Sequence, residues 1–165
     1  MKCHMILLAG GSGTRMKSAI PKQFMEIAGK TLIQYSLDVI EKTDFVDSCI
    51  LVTTRRDMDY LREKILVFEN YQKVKALAFG GEERYESVLN GLKKLRETYG
   101  DIDSADFVMV HDGARPFLTE DLIKVCRDET EKNGACVAAV PAKDTVAIAD
   151  ESGFEARVPL RKNVW

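Results

Sequence analysis

The chain has 165 residues, of which 45% are hydrophobic and 30% are charged. This composition is typical of one globular domain over 1–165, and it excludes a disordered chain, a collagen-like repeat and a disulfide scaffold. The 24 Lys and Arg residues against 26 Asp and Glu residues leave a formal net charge of −2. Such a balance argues against a nucleic-acid-binding protein, which needs a basic surplus.

Cysteine spacing bears on metal binding and on location. The four cysteines include no C-x-x-C pair, and only two histidines are present to join them, so we expect no structural zinc site. The apolar neighbours of Cys49 and Cys136 are typical of reduced core cysteines. The apolar run at 5–9 is too short for a signal peptide or a membrane span. The sequence therefore predicts a cytoplasmic protein that does not contact membranes.

Short apolar runs alternate with helical patterns along the chain. The runs that predict strands are 5–9, 48–53, 74–79, 107–111 and 135–140. The segments that predict helices are 32–41, 57–68, 84–98 and 119–132, the last with Thr119 as N-cap and Gly134 just past its end. This order predicts an α/β fold with a mostly parallel twisted sheet and helices on both faces. Ligands of such sheets bind outside the carboxyl ends of the strands.

The remaining segment, 144–161, differs in character from the rest. It is polar and extended, and it contains a turn signal at Glu151-Ser152-Gly153. Because it is too short to bury a core of its own, we interpret it as a protruding β-arm.

The first chemical motif follows the first predicted strand directly. Residues 9–16 read Ala-Gly-Gly-Ser-Gly-Thr-Arg-Met, which is neither a P-loop nor the dinucleotide fingerprint. Three glycines in four positions allow a tight curl that presents backbone N–H groups to an anion, and Arg15 adds a fork of donors suited to phosphate. An ordinary glycine-rich turn with a solvated arginine is an equally good interpretation of this motif alone. Pro21-Lys22 then holds an ammonium group at a stiff corner, as polyphosphate chemistry requires.

Three further segments follow later strands. Residues 80–87 read Gly-Gly-Glu-Glu-Arg-Tyr-Glu-Ser. Either the backbone N–H groups of this segment contact a base, or its three glutamates only stabilise the N-terminus of the following helix. Residues 111–116 read His-Asp-Gly-Ala-Arg-Pro, where Asp112 is placed to hold a ribose hydroxyl or Mg²⁺ and His111 fits a satisfied strand-end side chain. Residues 141–145, Pro-Ala-Lys-Asp-Thr, add an ammonium and a hydroxyl group.

These five segments, in this order, resemble the 2-C-methyl-D-erythritol 4-phosphate cytidylyltransferases of the non-mevalonate isoprenoid pathway, from Leu8 to Trp165. The resemblance implies a Rossmann-like nucleotidyltransferase fold that uses Mg²⁺ and joins CTP to a sugar-alcohol phosphate with release of pyrophosphate. It also implies a homodimer through the 144–161 arm. Members of the family continue beyond the position of Trp165, so the sequence resembles a member that lacks the C-terminal part.

The resemblance also implies a role for individual residues. Arg15 and Lys22 would be catalytic and stabilise the charge on the α-phosphate. The residues implied to bind the nucleotide are Ala9, Gly10, Gly11, Ser12, Gly13, Gly81, Glu82, Ser87 and Asp112. Those implied to bind the acceptor are Asp112, Arg115, Thr145 and Arg161, and none is implied as a direct metal ligand. An existing phosphate oxygen is the nucleophile in this reaction, so no Ser-His or Cys-His pair is required.

Two alternatives stay open. Ala9-Gly10-Gly11 stands where Ala-Ala-Gly is frequent, and this version also occurs in ribitol 5-phosphate cytidylyltransferases. Glu82 stands where many members carry aspartate. The chain is therefore either a methylerythritol phosphate enzyme, which the 111–116 segment favours, or a ribitol phosphate enzyme, or a nucleotide-binding fragment without turnover.

Overall fold

The computed structural model of the protein describes residues 1–11, 20–67 and 70–165. The chain forms two compact units, Met1–Ile123 and Lys124–Trp165. The expectation of one domain over 1–165 stays a prediction. None of the helices in the described ranges combines the length and the apolar character needed to cross a bilayer.

The elements follow the predicted alternation of strands and helices. In chain order they are β1 (Cys3–Ala9), β2 (Glu26–Ile27), β3 (Lys30–Thr31), α1 (Leu32–Lys42), β4 (Ser48–Thr53), α2 (Met58–Tyr60), β5 (Val74–Phe79), α3 (Arg84–Tyr99), β6 (Phe107–Asp112), α4 (Glu120–Asn133), β7 (Ile148–Ala149) and β8 (Glu155–Arg157). Short 3₁₀ turns cover Lys22–Phe24 and Arg161–Asn163, and a π-helical stretch covers Leu61–Leu66.

The sheet of the first unit is fully parallel and has the strand order β5-β4-β1-β6. The central strand β1 is buried along its whole length, since every one of its residues lies in the core. Alternate residues of β1 enter different clusters: Leu7 packs with residues of α1 and the π-helical stretch, whereas Ile6 packs with Leu95 of α3. Helices therefore cover both faces, and the expected α/β fold class is confirmed.

The strand order places a topological switch beside β1. The chain runs outward from β1 to β4 and β5, and α3 then crosses the opposite face of the sheet to bring β6 against the other side of β1. In open α/β sheets, ligands bind in the crevice at this point, outside the carboxyl ends of the strands. Ala9 and Asp112 end the two strands at this crevice.

Helix boundaries follow local chemistry. The hydroxyl of Thr119 accepts a hydrogen bond from the N–H of Leu122 at 3.1 Å, and Gly134 ends α4 with φ of 82°. Both predicted signals are confirmed. The single helix expected over 57–68 is instead α2 followed by the π-helical stretch, which the periodicity of the sequence does not distinguish from an α-helix.

Two expectations for the second unit are wrong. Residues 135–140, all of which the structure describes, form no strand, and Val137 and Val140 are exposed. An apolar run becomes a strand only when a neighbouring strand takes up its backbone hydrogen bonds, and a pattern of side chains does not show whether that neighbour exists. For the same reason Cys136 is exposed, although Cys49 is fully buried as expected.

The 144–161 segment contains a small antiparallel hairpin of β7 and β8. Its turn is organised by the Asp150 carboxylate, which accepts hydrogen bonds from the N–H and the hydroxyl of Ser152 at 2.9 and 2.6 Å and from the N–H of Phe154 at 3.1 Å. Gly153 adopts φ of 86°, a conformation that side chains disfavour. The turn predicted at 151–153 is confirmed.

Candidate active site

A cleft of about 1010 Å³ lies at the carboxyl edge of the parallel sheet, where the switch between β1 and β6 predicts a ligand. Four of the five predicted segments supply its walls. The lining residues are Leu8, Gly10, Gly11, Lys22, Gln23, Gly81, Glu82, Glu83, Arg84, Ser87, Asp112, Ala114 and Arg115. Ala9 ends β1 beneath this wall and is buried. Ser12, Gly13 and Arg15 lie outside the described residues.

Lys22 and Gln23 form a 3₁₀ turn beside the glycine-rich loop. The turn closes with a hydrogen bond from the N–H of Phe24 to the carbonyl of Pro21 at 2.9 Å. Lys22 is exposed in the cleft, whereas Gln23 is buried and donates to the carbonyls of Ala9 and Gly11. An exposed ammonium group on a stiff turn is suited to neutralising phosphate charge.

The N–H groups of residues 81–83 are engaged by the first turns of α3. The N–H of Gly81 donates to the hydroxyl of Ser87 at 3.1 Å, and the N–H groups of Glu82 and Glu83 donate to the carboxylate of Glu86 at 2.8 and 3.1 Å. These three bonds, one of which belongs to the Glu83–Glu86 capping box, satisfy the donors that the sequence offered as contacts for a base. The carbonyl groups of the segment and the Glu82 carboxylate are thus its acceptors toward a ligand.

Gly81 cannot be replaced without moving the helix cap. A Cβ atom built on Gly81 lies 2.3 Å from the Cβ of Glu86, which no real contact permits. The glycine therefore allows Glu86 to reach the backbone of the loop. The loop and the first turn of α3 therefore pack together at the edge of the cleft.

Asp112 is held between two guanidinium groups. The Nη2 of Arg84 lies 3.0 Å from its Oδ1, and the Nε of Arg115 lies 2.9 Å from its Oδ2. Burial alone would raise the pKa of Asp112, but the hydrogen bonds from Arg115 and Arg84 outweigh that effect and hold the pKa below its ordinary value of 3.8. Asp112 is therefore ionised at neutral pH, with two cations beside it.

Sequence reasoning did not assign Arg84 to the site. Arg84 is the first residue of α3, and it reaches Asp112 across 28 positions of the chain. A polar residue within the Gly80–Ser87 motif was a possible signal, but its partner is set by the way α3 packs on β1 and β4 of the sheet. The structure adds Arg84 to the predicted set.

The side chain of His111 is held by hydrogen-bond partners within the fold. Its Nε2 lies 3.1 Å from the carbonyl of Arg115 and 3.3 Å from the hydroxyl of Ser36. A carbonyl oxygen only accepts, so Nε2 carries the ring proton. Burial is the largest effect and lowers the pKa of His111, although the Arg115 carbonyl opposes it. The interpretation of His111 as a satisfied strand-end histidine is confirmed.

The second unit carries a separate basic cleft of about 730 Å³. Its lining residues are Pro141, Ala142, Lys143, Leu160, Arg161 and Lys162. The Nη1 of Arg161 donates to the carbonyl of Lys143 at 3.3 Å, which joins the two ends of the segment. Thr145 is exposed in the same unit and is not part of this lining. Of the three cations here, Lys143 and Arg161 were singled out from the sequence, and Lys162 was not.

The fold and the first cleft define an α/β protein of the nucleotide-binding type, with a glycine-rich loop, a lysine and an arginine–aspartate cluster at the switch point. The family model of 2-C-methyl-D-erythritol 4-phosphate cytidylyltransferase matches residues 3–165. A curated relative of that name from Lachnospira eligens is 41% identical over 97% of this chain and 67% of its own length. Another from Shouchella clausii is 39% identical over 100% of this chain and 68% of its own length.

Solved structures give the same assignment. The 4-diphosphocytidyl-2C-methyl-D-erythritol synthase of Anaerococcus prevotii matches with a TM-score of 0.76 and 29% identity, over 99% of this chain and 65% of that one. The Francisella tularensis cytidylyltransferase matches with a TM-score of 0.73 and 26% identity, over 100% of this chain and 69% of that one. The chain belongs to the 2-C-methyl-D-erythritol 4-phosphate cytidylyltransferase family, and the predicted family and class of enzyme, a nucleotidyltransferase, are confirmed. It spans about two thirds of the length of these relatives.

Proposed function

We propose that the chain transfers CMP from CTP to 2-C-methyl-D-erythritol 4-phosphate, which yields 4-diphosphocytidyl-2-C-methyl-D-erythritol and pyrophosphate. The observation that carries this proposal is the cleft at the β1–β6 switch, which brings Gly10, Gly11, Lys22 and Asp112 together. Membership of the family supplies the reaction class.

The chemistry needs positioning and charge neutralisation more than a general base. A phosphate oxygen of the acceptor attacks the α-phosphorus of CTP, and the bond from that phosphorus to the bridging oxygen breaks to release pyrophosphate. The attacking oxygen is already ionised at neutral pH, so no side chain has to remove a proton from it. In this proposal Lys22 and Arg15 stabilise the negative charge that accumulates on the α-phosphate. The 9–13 loop contacts the triphosphate, and Gly81, Glu82 and Ser87 contact the cytosine.

Mg²⁺ fits this cleft as a cofactor bound mainly through the nucleotide. Asp112 supplies an ionised carboxylate in the lining, and Mg²⁺ in such sites takes one or two carboxylates together with substrate phosphates. No cluster of three or more metal-binding side chains occurs among residues 1–11, 20–67 and 70–165, so the phosphates and water would supply the other ligands. When bound, the ion withdraws charge from the phosphate oxygens.

The acceptor and the assembly form the second part of the proposal. Asp112 and Arg115 of the first cleft contact the methylerythritol phosphate in this proposal, and the roles that the family resemblance implies for Thr145 and Arg161 stay predictions. The 144–161 arm pairs two chains as a homodimer. The exposed apolar side chains of Ile148 and Phe154 in the hairpin support a contact surface there. We place the enzyme in the cytoplasm, where free thiols such as Cys49 remain reduced.

The test is pyrophosphate release by the chain with CTP, Mg²⁺ and 2-C-methyl-D-erythritol 4-phosphate, with ribitol 5-phosphate in a parallel reaction. Release with the first acceptor supports the proposal. Release with ribitol 5-phosphate alone would transfer the same catalytic argument to the other acceptor. Binding of CTP without release in either reaction would identify a nucleotide-binding protein that does not perform the transfer.

A further inference from the structure

Gln23 is a buried polar side chain in the wall of the cleft. Only 2% of its surface is exposed. Its Nε2 donates to the carbonyl of Ala9 at 2.7 Å and to the carbonyl of Gly11 at 3.3 Å. Those carbonyls lie 14 and 12 positions earlier in the chain, one at the last residue of β1 and the other in the loop that follows it.

These bonds couple two parts of the site. Gln23 directly follows Lys22 in the 3₁₀ turn, so the same turn that carries the ammonium group is fixed to the glycine-rich loop. The Ala9 carbonyl also accepts from the hydroxyl of Thr53 at 3.3 Å, and it is therefore held from two sides.

The direction of the hydrogen bonds is suited to an anion site. Carbonyl oxygens carry partial negative charge, and a phosphate group is repelled by carbonyls that face it. The amide NH₂ group of Gln23 engages two such oxygens at the start of the loop. A carboxylate at the same position would supply no donor and would add a third negative group.

We propose that Gln23 is a positioning residue that fixes the Lys22 turn to the glycine-rich loop in the geometry that binds the polyphosphate of the nucleotide. This inference rests on the proposed function, since it assumes that the cleft binds CTP. Gln23 itself does not contact the reacting atoms and acts through Lys22 and the loop.

The central variant is Gln23→Glu, which keeps the shape of the side chain and replaces the NH₂ donor by oxygen. At pH 8 the carboxylate faces two carbonyls, and we expect turnover and CTP affinity to fall about tenfold or more. Burial beside two acceptors raises a carboxyl pKa, and the protonated acid regains one O–H donor. We therefore expect the ratio of variant to wild-type turnover to rise several-fold as the pH is lowered from 8 to 6.

Two further variants make the result specific. Gln23→Met removes the donor without a titratable group, so its ratio to wild type should be low and independent of pH. Gln72→Glu adds the same charge at an exposed position and should match wild type throughout. Circular dichroism and urea midpoints at each pH establish that all variants are folded under the assay conditions, so that a change in the ratio reflects the site.

Each outcome separates the two proposals. Binding of CTP, measured by calorimetry in the same variants, tests Gln23 even if the wild type releases no pyrophosphate. If the wild type binds or turns over CTP and Gln23→Glu equals it at pH 8, the role of Gln23 is wrong and the proposed function stands. A ratio for folded Gln23→Glu that is low but does not change with pH would also overturn the positioning role. If the wild type neither binds nor uses CTP, both proposals fail.

Discussion

At the scale of single residues, the site combines one exposed cation with a cluster of paired charges. Lys22 is exposed and stands on a turn held by its neighbour Gln23. Asp112 is partly buried and held from two sides by Arg84 and Arg115. Substitutions at the two positions should have different effects. A substitution at Lys22 removes a positive charge beside the substrate, whereas a substitution at Asp112 also releases two guanidinium groups from their ion pairs.

Lys22→Ala should reduce pyrophosphate release by several orders of magnitude and leave the fold intact. The ammonium group is exposed and acts on charge that develops during the transfer, so its loss affects turnover more than stability. Steady-state kinetics with urea denaturation tests both parts. Lys93→Ala, an exposed lysine of α3 outside the cleft lining, is the matched control and should behave as wild type. Near-normal turnover in Lys22→Ala would remove this residue from the mechanism. The same loss is expected for Arg15→Ala.

Asp112→Asn should weaken the Mg²⁺-dependent use of CTP. The amide keeps the size of the side chain but loses the negative charge that pairs with Arg84 and Arg115 and that attracts the cation. We expect a higher Mg²⁺ concentration for half-maximal activity and a turnover reduced by about tenfold or more. Asp44→Asn, at an exposed position, controls for the change in net charge. Unchanged Mg²⁺ dependence and turnover in folded Asp112→Asn would contradict this role.

At the scale of elements, α3 lies unusually close to the sheet at Gly91. A Cβ atom at this position would lie 2.6 Å from Cγ2 of Ile6 and 3.1 Å from Cγ2 of Val52. Both partners are branched side chains in the core, so little movement is available to them. The packing of α3 in turn sets the position of its first turn, which carries Arg84 and Glu86 at the cleft.

Gly91→Ala is therefore expected to destabilise the protein, although alanine is the better helix former. Overpacking costs about 1–3 kcal/mol, which exceeds the gain of about 1 kcal/mol in helix propensity. We expect the free energy of unfolding from urea titration to fall by about 1 kcal/mol, with Lys93→Ala on the same helix as the neutral control. An increase in stability would show that α3 is not held against Ile6 in this way.

The central strands were predictable because each is a continuous apolar run. The predicted bounds 48–53 and 74–79 agree with β4 and β5. Strand β4 is buried along its whole length, as expected inside a parallel sheet, whereas β5 is an edge strand in which only Ala78 is buried. The rule that ligands bind at strand ends then placed four motifs at one cleft. The ion pair of Arg84 with Asp112 and the engagement of the Glu82 N–H by Glu86 depend on helix placement, which a linear pattern does not contain. The run 135–140 shows the converse, since its apolar pattern predicts a strand that does not form.

At the scale of the whole molecule, two histidines link stability to pH. Burial is the largest effect on His4 and lowers its pKa, although the carboxylate of Asp106, 4.0 Å away, opposes it. Burial also lowers the pKa of His111. Each ring is therefore neutral in the folded protein at a pH where the unfolded chain binds a proton. Stability is complete above the ordinary pKa of 6.5 and is lost as the pH falls from 6.5 toward the lowered values.

We expect the urea midpoint to be constant between pH 8 and 7 and to fall between pH 6.5 and 5. His4→Gln should show a smaller fall over that range than wild type, because one of the two groups no longer titrates. A midpoint that rises on acidification would show that the folded state binds the extra protons, which is the opposite sign. The depressed pKa of Asp112 adds its own loss only at lower pH, below its ordinary value of 3.8.

The central claim is that the cleft at the β1–β6 switch is the CTP site of this chain. Addition of CTP and Mg²⁺ to the ¹⁵N-labelled protein, followed by amide chemical shifts, tests this claim most directly. The account predicts saturable shifts at Gly10, Gly81, Ser87 and Asp112, with little change in exposed segments such as that of Lys93. The same shifts should weaken in Lys22→Ala. No shift at these amides, or shifts confined to the basic cleft of residues 141–162, would contradict the account.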